Sequence, residues 1–415
     1  MEAVHDAGSR DIGIAATFTL SSALLAATRF WMSELGIPGE LRVAGYNQVF
    51  QELAAPSVLA GTAGNVLLVR FTDWSRARTA RTLASGAGGS GSASADGGHA
   101  GDAAQLSSDV AFLLAALSSS PLLSAPLILI ICPASPPAPK GADDGAHEEE
   151  EEEGRVATLG ESCRSLQVVR SRAVWDSMDF DHHGFDHQKG GVFDPVADRL
   201  GHVPFTDEAA CAIATLAARH LRIALPVCAP LRTKALAVDC DYTLWEHAVG
   251  EVGPAGLVFE AHHLNLQARL AELSKQGTLI CLLSRNRESD VRQALLQRAP
   301  DMLLHTTHIA AFAIDPLAPK AAGLQSLAAA LNLPLSSFAF IDDNPSECGA
   351  VRAALPEVPV VQVGPGAGAF DAALRRAWVL DGAGAGTAED LARSQRYQED
   401  VGRRGAKEEA KSLTE

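Results

Sequence analysis

Short apolar runs recur along the chain, each followed by polar or small residues and then by a segment with helical spacing. Residues 65–71 (NVLLVRF), 127–132 (LILIIC) and 166–169 (LQVV) are rich in branched aliphatics and read as buried parallel strands. Leu24, Leu25, Thr28, Trp31, Met32 and Leu35 recur at helical spacing, and Gly36 stops that run. Residues 48–53 and 110–117 repeat the helical pattern. A longer helix is expected over 209–225, with Thr206 or Asp207 as its cap. From residue 233 the alternation is regular. Strands are expected at 235–238, 278–283, 302–304, 338–341 and 358–363. Helices are expected at 257–275, 288–297, 320–331 and 346–354, then near 370–378 and 389–402. Such alternation specifies α/β units on parallel sheets. The expected fold class is therefore α/β: a small N-terminal domain, then a doubly wound parallel sheet.

Two stretches interrupt this order. Residues 84–104 are Gly-, Ala- and Ser-rich, and residues 133–154 are Pro-rich and then polyglutamate. Both are expected as disordered insertions, because neither has the apolar anchors of a packed element. The expected boundaries are 1–178 for the first domain, 179–232 for a linker and leading helix, and 233–363 for the second domain. Residues 364–415 then form a helical tail that reads as truncated. His182, His183 and His187 carry zinc-binding side chains, but their loose spacing in a polar stretch favours a solvated linker.

Composition adds limits. With 415 residues, 47% of them hydrophobic, the chain can bury ample core. Lys and Arg number 34 and Asp and Glu 50, a net charge of −16. Asp143, Asp144 and Glu148 to Glu153 supply half of that excess, so it is local. No basic cluster points to nucleic acid or an anionic membrane surface. Seven scattered cysteines without a CxxC spacing fit reduced thiols in a cytoplasmic protein rather than disulfides or a zinc site. The N-terminus lacks the pattern of a secretion signal, and the most apolar stretch, residues 122–134, is too short to span a bilayer.

The candidate chemistry starts where residues 235–238 run into DCDYT at 239–243. Asp239 and Asp241 lie two apart, so on an extended chain their carboxylates share a face. Paired carboxylates at a strand end are costly to bury unless a hard cation such as Mg²⁺ compensates them. A strand that simply ends in a polar loop is the alternative for this motif alone. Ser284 after the next strand, Lys320 at a helix start and Asp342-Asp343 after a third strand then follow. Singly, Ser284 reads as a helix cap and Lys320 as a surface lysine. Together they fall at strand ends, where doubly wound folds hold ligands.

This order of motifs over residues 233–363 resembles the haloacid dehalogenase superfamily of phosphohydrolases and phosphotransferases. The resemblance implies Asp239 as nucleophile and Asp241 as general acid and base. It implies that Thr243, Ser284, Asn286 and Lys320 bind the phosphorylated substrate. It implies Mg²⁺ held by Asp239, Asp241, Asp342 and Asp343. The strings VDCDYTLW, LLSRNRESDV, IDDNPSECGAVRAALPEV and RLGHVPFT are similar to FkbH-like proteins. So is the tail, WVLD with TAEDLARSQRYQED. Thr17 to Thr19, Gly45 to Gln48 and Phe71 to Trp74 resemble that family's N-terminal SGNH-hydrolase-like domain. The implied function is removal of phosphate from 1,3-bisphosphoglycerate and loading of the glyceryl unit, as a thioester, on an acyl carrier protein for polyketide-type biosynthesis. A plain phosphatase and a non-catalytic assembly module are the competing readings.

Tyr242 stands where the family usually has Asn, and Glu246-His247 replace a Gly-Gly pair, which would narrow or recharge the loop beside the nucleophile. Asp315 sits in the region before Lys320 where the family usually has Trp, and that segment is one residue longer. The short spacings from Thr243 to residue 257 and from Ser284 to Lys320 leave little or no room for a cap domain. Cys240 faces away from its acidic neighbours on an extended strand and is expected as apolar filler. No GxSxG occurs in the first domain.

Overall fold

Ile12–Ala16 (β1), Leu41–Val43 (β2), Gly64–Val69 (β3), Leu127–Ile131 (β4) and Leu166–Val169 (β5) form one parallel sheet in the order β2-β1-β3-β4-β5. The computed structural model describes residues 10–74, 98–134, 143–178, 191–225, 228 and 233–381. The chain divides into two units, Met1–Ala229 and Pro230–Glu415. In the first unit β1, β3 and β4 are buried at every position, as a sheet covered on both faces requires. Helix Ser22–Glu34 is capped by Ser21, whose hydroxyl accepts from Leu24 N at 3.2 Å. Its Trp31 Nε1 donates to Thr215 Oγ1 at 2.9 Å on helix Asp207–Ala224.

The polyglutamate run is not a disordered insertion. Helix Asp143–Ser162 includes it, because Glu favours helix and the segment has a face to bury. Val156 is fully buried, Glu152 pairs with Arg155, and Glu153 pairs with Arg170. Helix Gly98–Ser118 likewise begins inside the stretch expected to lack structure. Residues 84–97, 135–142, the three linker histidines and the helix expected over 389–402 lie outside the described residues.

At the carboxyl ends of β1 and β3 sits a buried guanidinium. Arg70 Nε donates to Asp73 Oδ1 at 2.9 Å, and its terminal nitrogens reach Asp198 at 3.1 and 3.2 Å. The Thr17 hydroxyl donates to Asp73 Oδ2 at 2.8 Å. Burial opposes the Arg70 charge, but bonds to Asp73 and Asp198 outweigh it and hold its pKa above the ordinary value. Arg70→Met would strand two buried carboxylates. It should lower stability by about 3–5 kcal/mol in urea unfolding, and a loss under about 1 kcal/mol would contradict that account.

The second unit's sheet is parallel throughout. Ala235–Val238 (β6), Leu279–Ser284 (β7), Ile309–Ile314 (β8), Phe338–Asp342 (β9) and Val360–Gln362 (β10) lie in the order β10-β9-β6-β7-β8. Leu236, Val238, Ile280 and Leu282 pack into one core cluster, while Ala235, Ala237, Cys281 and Leu283 pack into another. That alternation is the period of a strand between two helical layers. The expected strand at 302–304 does not form. Met302 and Leu304 are buried beyond a 3₁₀ turn, Ala299–Asp301, and the strand lies at Ile309–Ile314. The chain winds from β6 to β8 on one side and then returns to place β9 on the other. Such a reversal opens a crevice at the carboxyl ends of β6 and β9. Between β6 and helix Ala261–Lys275 there are only Val249–Val252 and a 3₁₀ turn, so no cap domain intervenes. No helix among the described residues is long and apolar enough to cross a membrane.

Candidate active site

Asp239 is the first residue past β6, and its N–H is held by Ile341 O of β9 at 2.9 Å. Its carboxylate meets Lys320 Nζ. Lys320 opens helix Lys320–Leu331, which starts there because Pro319 fixes an extended approach. The ammonium is buried. It also donates to Leu283 O at 2.7 Å and lies 3.1 Å from Asp342 Oδ2. Asp342 ends β9 and is fully buried, with Oδ1 accepting from Asn344 N at 2.8 Å. Asn344 in turn caps helix Pro345–Ala354 through Ser346 N and Glu347 N. Asp343 Oδ1 accepts from Thr243 Oγ1 at 3.4 Å.

One carboxylate oxygen from each of Asp239, Asp342 and Asp343 can be chosen so that all three lie within 4.8 Å of one another, a group able to hold a metal ion. Three carboxylates against one ammonium leave a surplus of two negative charges. The titrations reflect this. Lys320 is held above its ordinary pKa, since Asp239 and Asp342 outweigh its burial. Burial, more than Lys320 can offset, pushes Asp239 up to about 7, with Asp342 adding repulsion. Burial also raises Asp342, and burial with the Asp342 charge pushes Asp343 up to about 6. Lys320 thus stays charged, while a single ammonium cannot stabilise every carboxylate around it. Asp342 Oδ2 has the Lys320 ammonium at 3.1 Å and no other donor aligned on it. The donor set, all hard carboxylate oxygens with more negative charge than Lys320 can balance, fits a divalent cation such as Mg²⁺.

Asp241 does not offer its carboxylate to this group, contrary to the four-carboxylate ligand set expected from the motif. Its Oδ1 accepts from Trp245 Nε1 at 3.0 Å and from Val249 N at 3.1 Å, and its Oδ2 accepts from Asn286 Nδ2 at 2.8 Å. The chain turns directly after Asp241: Tyr242 sits at φ 58°, and the residues beyond it return Trp245 Nε1 and Val249 N to the Asp241 carboxylate. A left-handed Tyr costs about 1–2 kcal/mol, which Asn in that position would lessen. Tyr242 is also exposed.

Thr243 is fully buried, and its hydroxyl donates to Asp343 Oδ1. Asn286 Nδ2 donates both to Asp241 and to Ser284 Oγ, at 3.0 Å, which joins the ends of β6 and β7. Asn286 therefore positions the two side chains. Cys240 is fully buried in the core, and burial with the Asp239 charge pushes its thiol well above the ordinary value.

Three supports have no role assigned from the sequence. Trp245 is fully buried with its indole N–H on Asp241. Gln267 donates to Leu244 O at 2.7 Å and accepts from Leu303 N at 2.9 Å, which fixes the loop after β6. His263 lies 3.7 Å from Glu246, and burial lowers its pKa to about 4. An indole two residues beyond Thr243 was a usable signal; the partners on distant elements were not. Arg285 and Glu347 also meet here, with Arg285 Nη1 2.9 Å from Glu347 Oε1.

No family model and no curated protein matches the chain. Among solved structures, the chain is similar to the N-terminal part of a Bacteroides fragilis protein that contains a phosphatase domain and is complexed with Mg. Identity is 17%, the TM-score is 0.63, and the match covers 89% of this chain and 93% of that one. An uncharacterized protein from Corynebacterium glutamicum and a hypothetical protein from Xanthomonas campestris score 0.22 and 0.24, at 17% and 20% identity. They cover 31% and 43% of this chain, and 84% and 89% of their own. At those scores they support no inference. What the chain shares with the Bacteroides fragilis protein is the fold.

Proposed function

We propose that the chain is a Mg²⁺-dependent phosphohydrolase of haloacid dehalogenase type, acting on a small phosphorylated substrate. The convergence of Asp239, Lys320, Asp342 and Asp343 at the reversal of a parallel sheet carries this reading. Asp239, Asp342 and Asp343 would hold the ion, and the phosphatase domain of similar fold also contains Mg. Bound Mg²⁺ would neutralise charge on the phosphoryl oxygens. A carboxylate oxygen of Asp239 attacks phosphorus, and the bond to the leaving oxygen breaks. Asp241 gives that oxygen a proton. It then takes a proton from the water that hydrolyses the aspartyl phosphate. Lys320 and the Ser284 hydroxyl hold phosphoryl oxygens, and Trp245, Val249 and Asn286 hold Asp241 in place. The test is phosphate release from p-nitrophenyl phosphate: it should require Mg²⁺ and stop with a chelator.

Metal removal has a pH signature. Asp239 and Asp343 titrate at about 7 and about 6 in the folded chain, above their ordinary 3.8. Between those values the folded chain binds more protons than the unfolded one. Metal-free stability should therefore fall as pH rises from about 4 to about 7. Mg²⁺ replaces those protons, so the rise in Tm that it causes should be small near pH 5 and larger near pH 8. Equal rises at both pH values in thermal melts would contradict the assigned ligands.

The finer reading, glyceryl transfer from 1,3-bisphosphoglycerate to an acyl carrier protein, rests on the FkbH-like motifs and on the absence of a cap, which suits a carrier-borne acceptor. Cys240 is not the acceptor, because it is buried with a raised pKa. A glyceryl mass shift on a phosphopantetheinylated carrier, with Mg²⁺ and 1,3-bisphosphoglycerate, would support this reading; no shift would leave the simpler hydrolase. On the same motifs we read unit 1 as an SGNH-like scaffold. Its Thr17 hydroxyl is committed to Asp73. Seven free cysteines support a cytoplasmic setting.

A further inference from the structure

The groups assigned to the transferred phosphoryl are almost closed off. Asp342 is fully buried, and Ser284, Lys320 and Asp239 are at most 9% exposed. Among the described residues no cap domain is inserted between β6 and helix Ala261–Lys275. An ion pair links the loops on either side of these groups instead. Arg285, next after Ser284 at the end of β7, reaches Glu347 on the first turn of helix Pro345–Ala354, which follows β9. In the sheet β6 lies between β7 and β9. Adjacent strands are about 4.8 Å apart, so the pair joins loops roughly 10 Å apart across the end of β6. That end carries Asp239.

The guanidinium side of the pair faces outward, while Glu347 is only 20% exposed. The Arg285 side chain is 52% exposed. Exposed pairs are worth about 0–1 kcal/mol, so another anion can take the guanidinium at small cost. Glu347, once released, stays on a helix's first turn, where negative charge is favourable. Lys320, by contrast, is buried against Asp239 and Asp342, beside the position of the transferred phosphoryl. The phosphoryl itself is already served by Lys320, Ser284 and the cation. The partner left for Arg285 is the outer part of the substrate, and its planar fork suits carboxylate or phosphate.

We propose that Arg285 selects substrates with a second anionic group, a carboxylate or another phosphate, which displaces Glu347 and opens the way to Asp239. This rests on the phosphohydrolase reading. Three substrates test it: 2-phosphoglycolate, ethylene glycol bisphosphate and ethyl phosphate. Arg285→Gln should raise KM for either or both dianionic-ended substrates at least about ten-fold more than for ethyl phosphate; which one responds identifies the second group. Glu347→Gln, which removes the competing anion, should lower KM for the same substrate. Equal KM changes on all three overturn the proposal, as does an equal loss of kcat, which would put Arg285 on the transferred phosphoryl. A second measurement needs no turnover. Calorimetry of 2-phosphoglycolate and of the bisphosphate, with Mg²⁺, on Asp239→Asn protein should show binding weakened at least about ten-fold for one of them by adding Arg285→Gln. No detectable binding of either, or binding that Arg285→Gln leaves unchanged, overturns the proposal. A wild type that binds in this way but hydrolyses nothing would fail the phosphohydrolase reading alone.

Discussion

Asp239→Asn should remove phosphate-ester turnover, with kcat lower by on the order of 10⁴-fold or more, in a chain that still folds. The amide has the shape of the carboxylate but cannot attack phosphorus. Folding should survive because the site already tolerates a neutral group there. Asp239 titrates at about 7, since burial and the Asp342 charge work against its ionised form. Removing one negative charge from the surplus also leaves Lys320 facing Asp342 alone. Circular dichroism should match the wild type, and urea unfolding without metal should show no loss of stability. The effect of Mg²⁺ on Tm should shrink, since one of three ligands is weakened. Residual turnover within about ten-fold of wild type would show that another residue is the nucleophile.

Lys320→Met should have the second largest effect, on both stability and rate. Methionine replaces the aliphatic stem but not the ammonium. Asp239 and Asp342 are then buried without their cation. Breaking a buried pair from one side costs about 3–5 kcal/mol. The loss should be largest without metal near pH 8. It should narrow near pH 5, where protons neutralise the carboxylates, and narrow again with Mg²⁺. The raised pKa values of Asp239 and Asp343 fix that direction. Turnover should fall by about 10²–10³-fold, the usual loss when one group that stabilises transition-state charge is removed. Urea unfolding at two pH values, each with and without Mg²⁺, measures the stability part. A variant as stable as wild type under all four conditions would show that Lys320 does not neutralise this cluster.

Much of the second unit was legible because its polar motifs follow directly on apolar runs. Asp239, Ser284 and Asp342-Asp343 each lie at a strand end, and parallel pairing places those ends at one edge of the sheet. Helix Lys320–Leu331 was readable to the residue because Pro319 precedes it and Asn332 ends it in a left-handed cap. Other features depend on the third dimension. β8, IAAFAI, is Ala-rich and half exposed at a sheet edge, so it lacks the branched aliphatic signal that marks β4. The polyglutamate stretch looks unfoldable as composition, yet its helix buries Val156 and pairs two of its acids with Arg155 and Arg170. The part played by Asp241 turns on donors at 245, 249 and 286. Spacing alone put its carboxylate beside that of Asp239. The Arg285–Glu347 pair joins residues 62 positions apart, and no local pattern announces it.

The stretch from Asp239 to Val249 thus divides by role. Asp239 belongs to a charged cluster whose carboxylates could hold one divalent cation. The residues after it form a buried scaffold, Leu244 and Trp245, that turns the chain and presents Asp241. The most direct test of this account is to find the phosphoryl group. Mg²⁺-loaded protein is mixed with acetyl phosphate, quenched in acid, digested and analysed by mass spectrometry. The account predicts one phosphoryl group on the peptide containing Asp239, removed by hydroxylamine and absent from Asp239→Asn. Turnover with no phosphoryl on that peptide, or with the label on another residue, would contradict it.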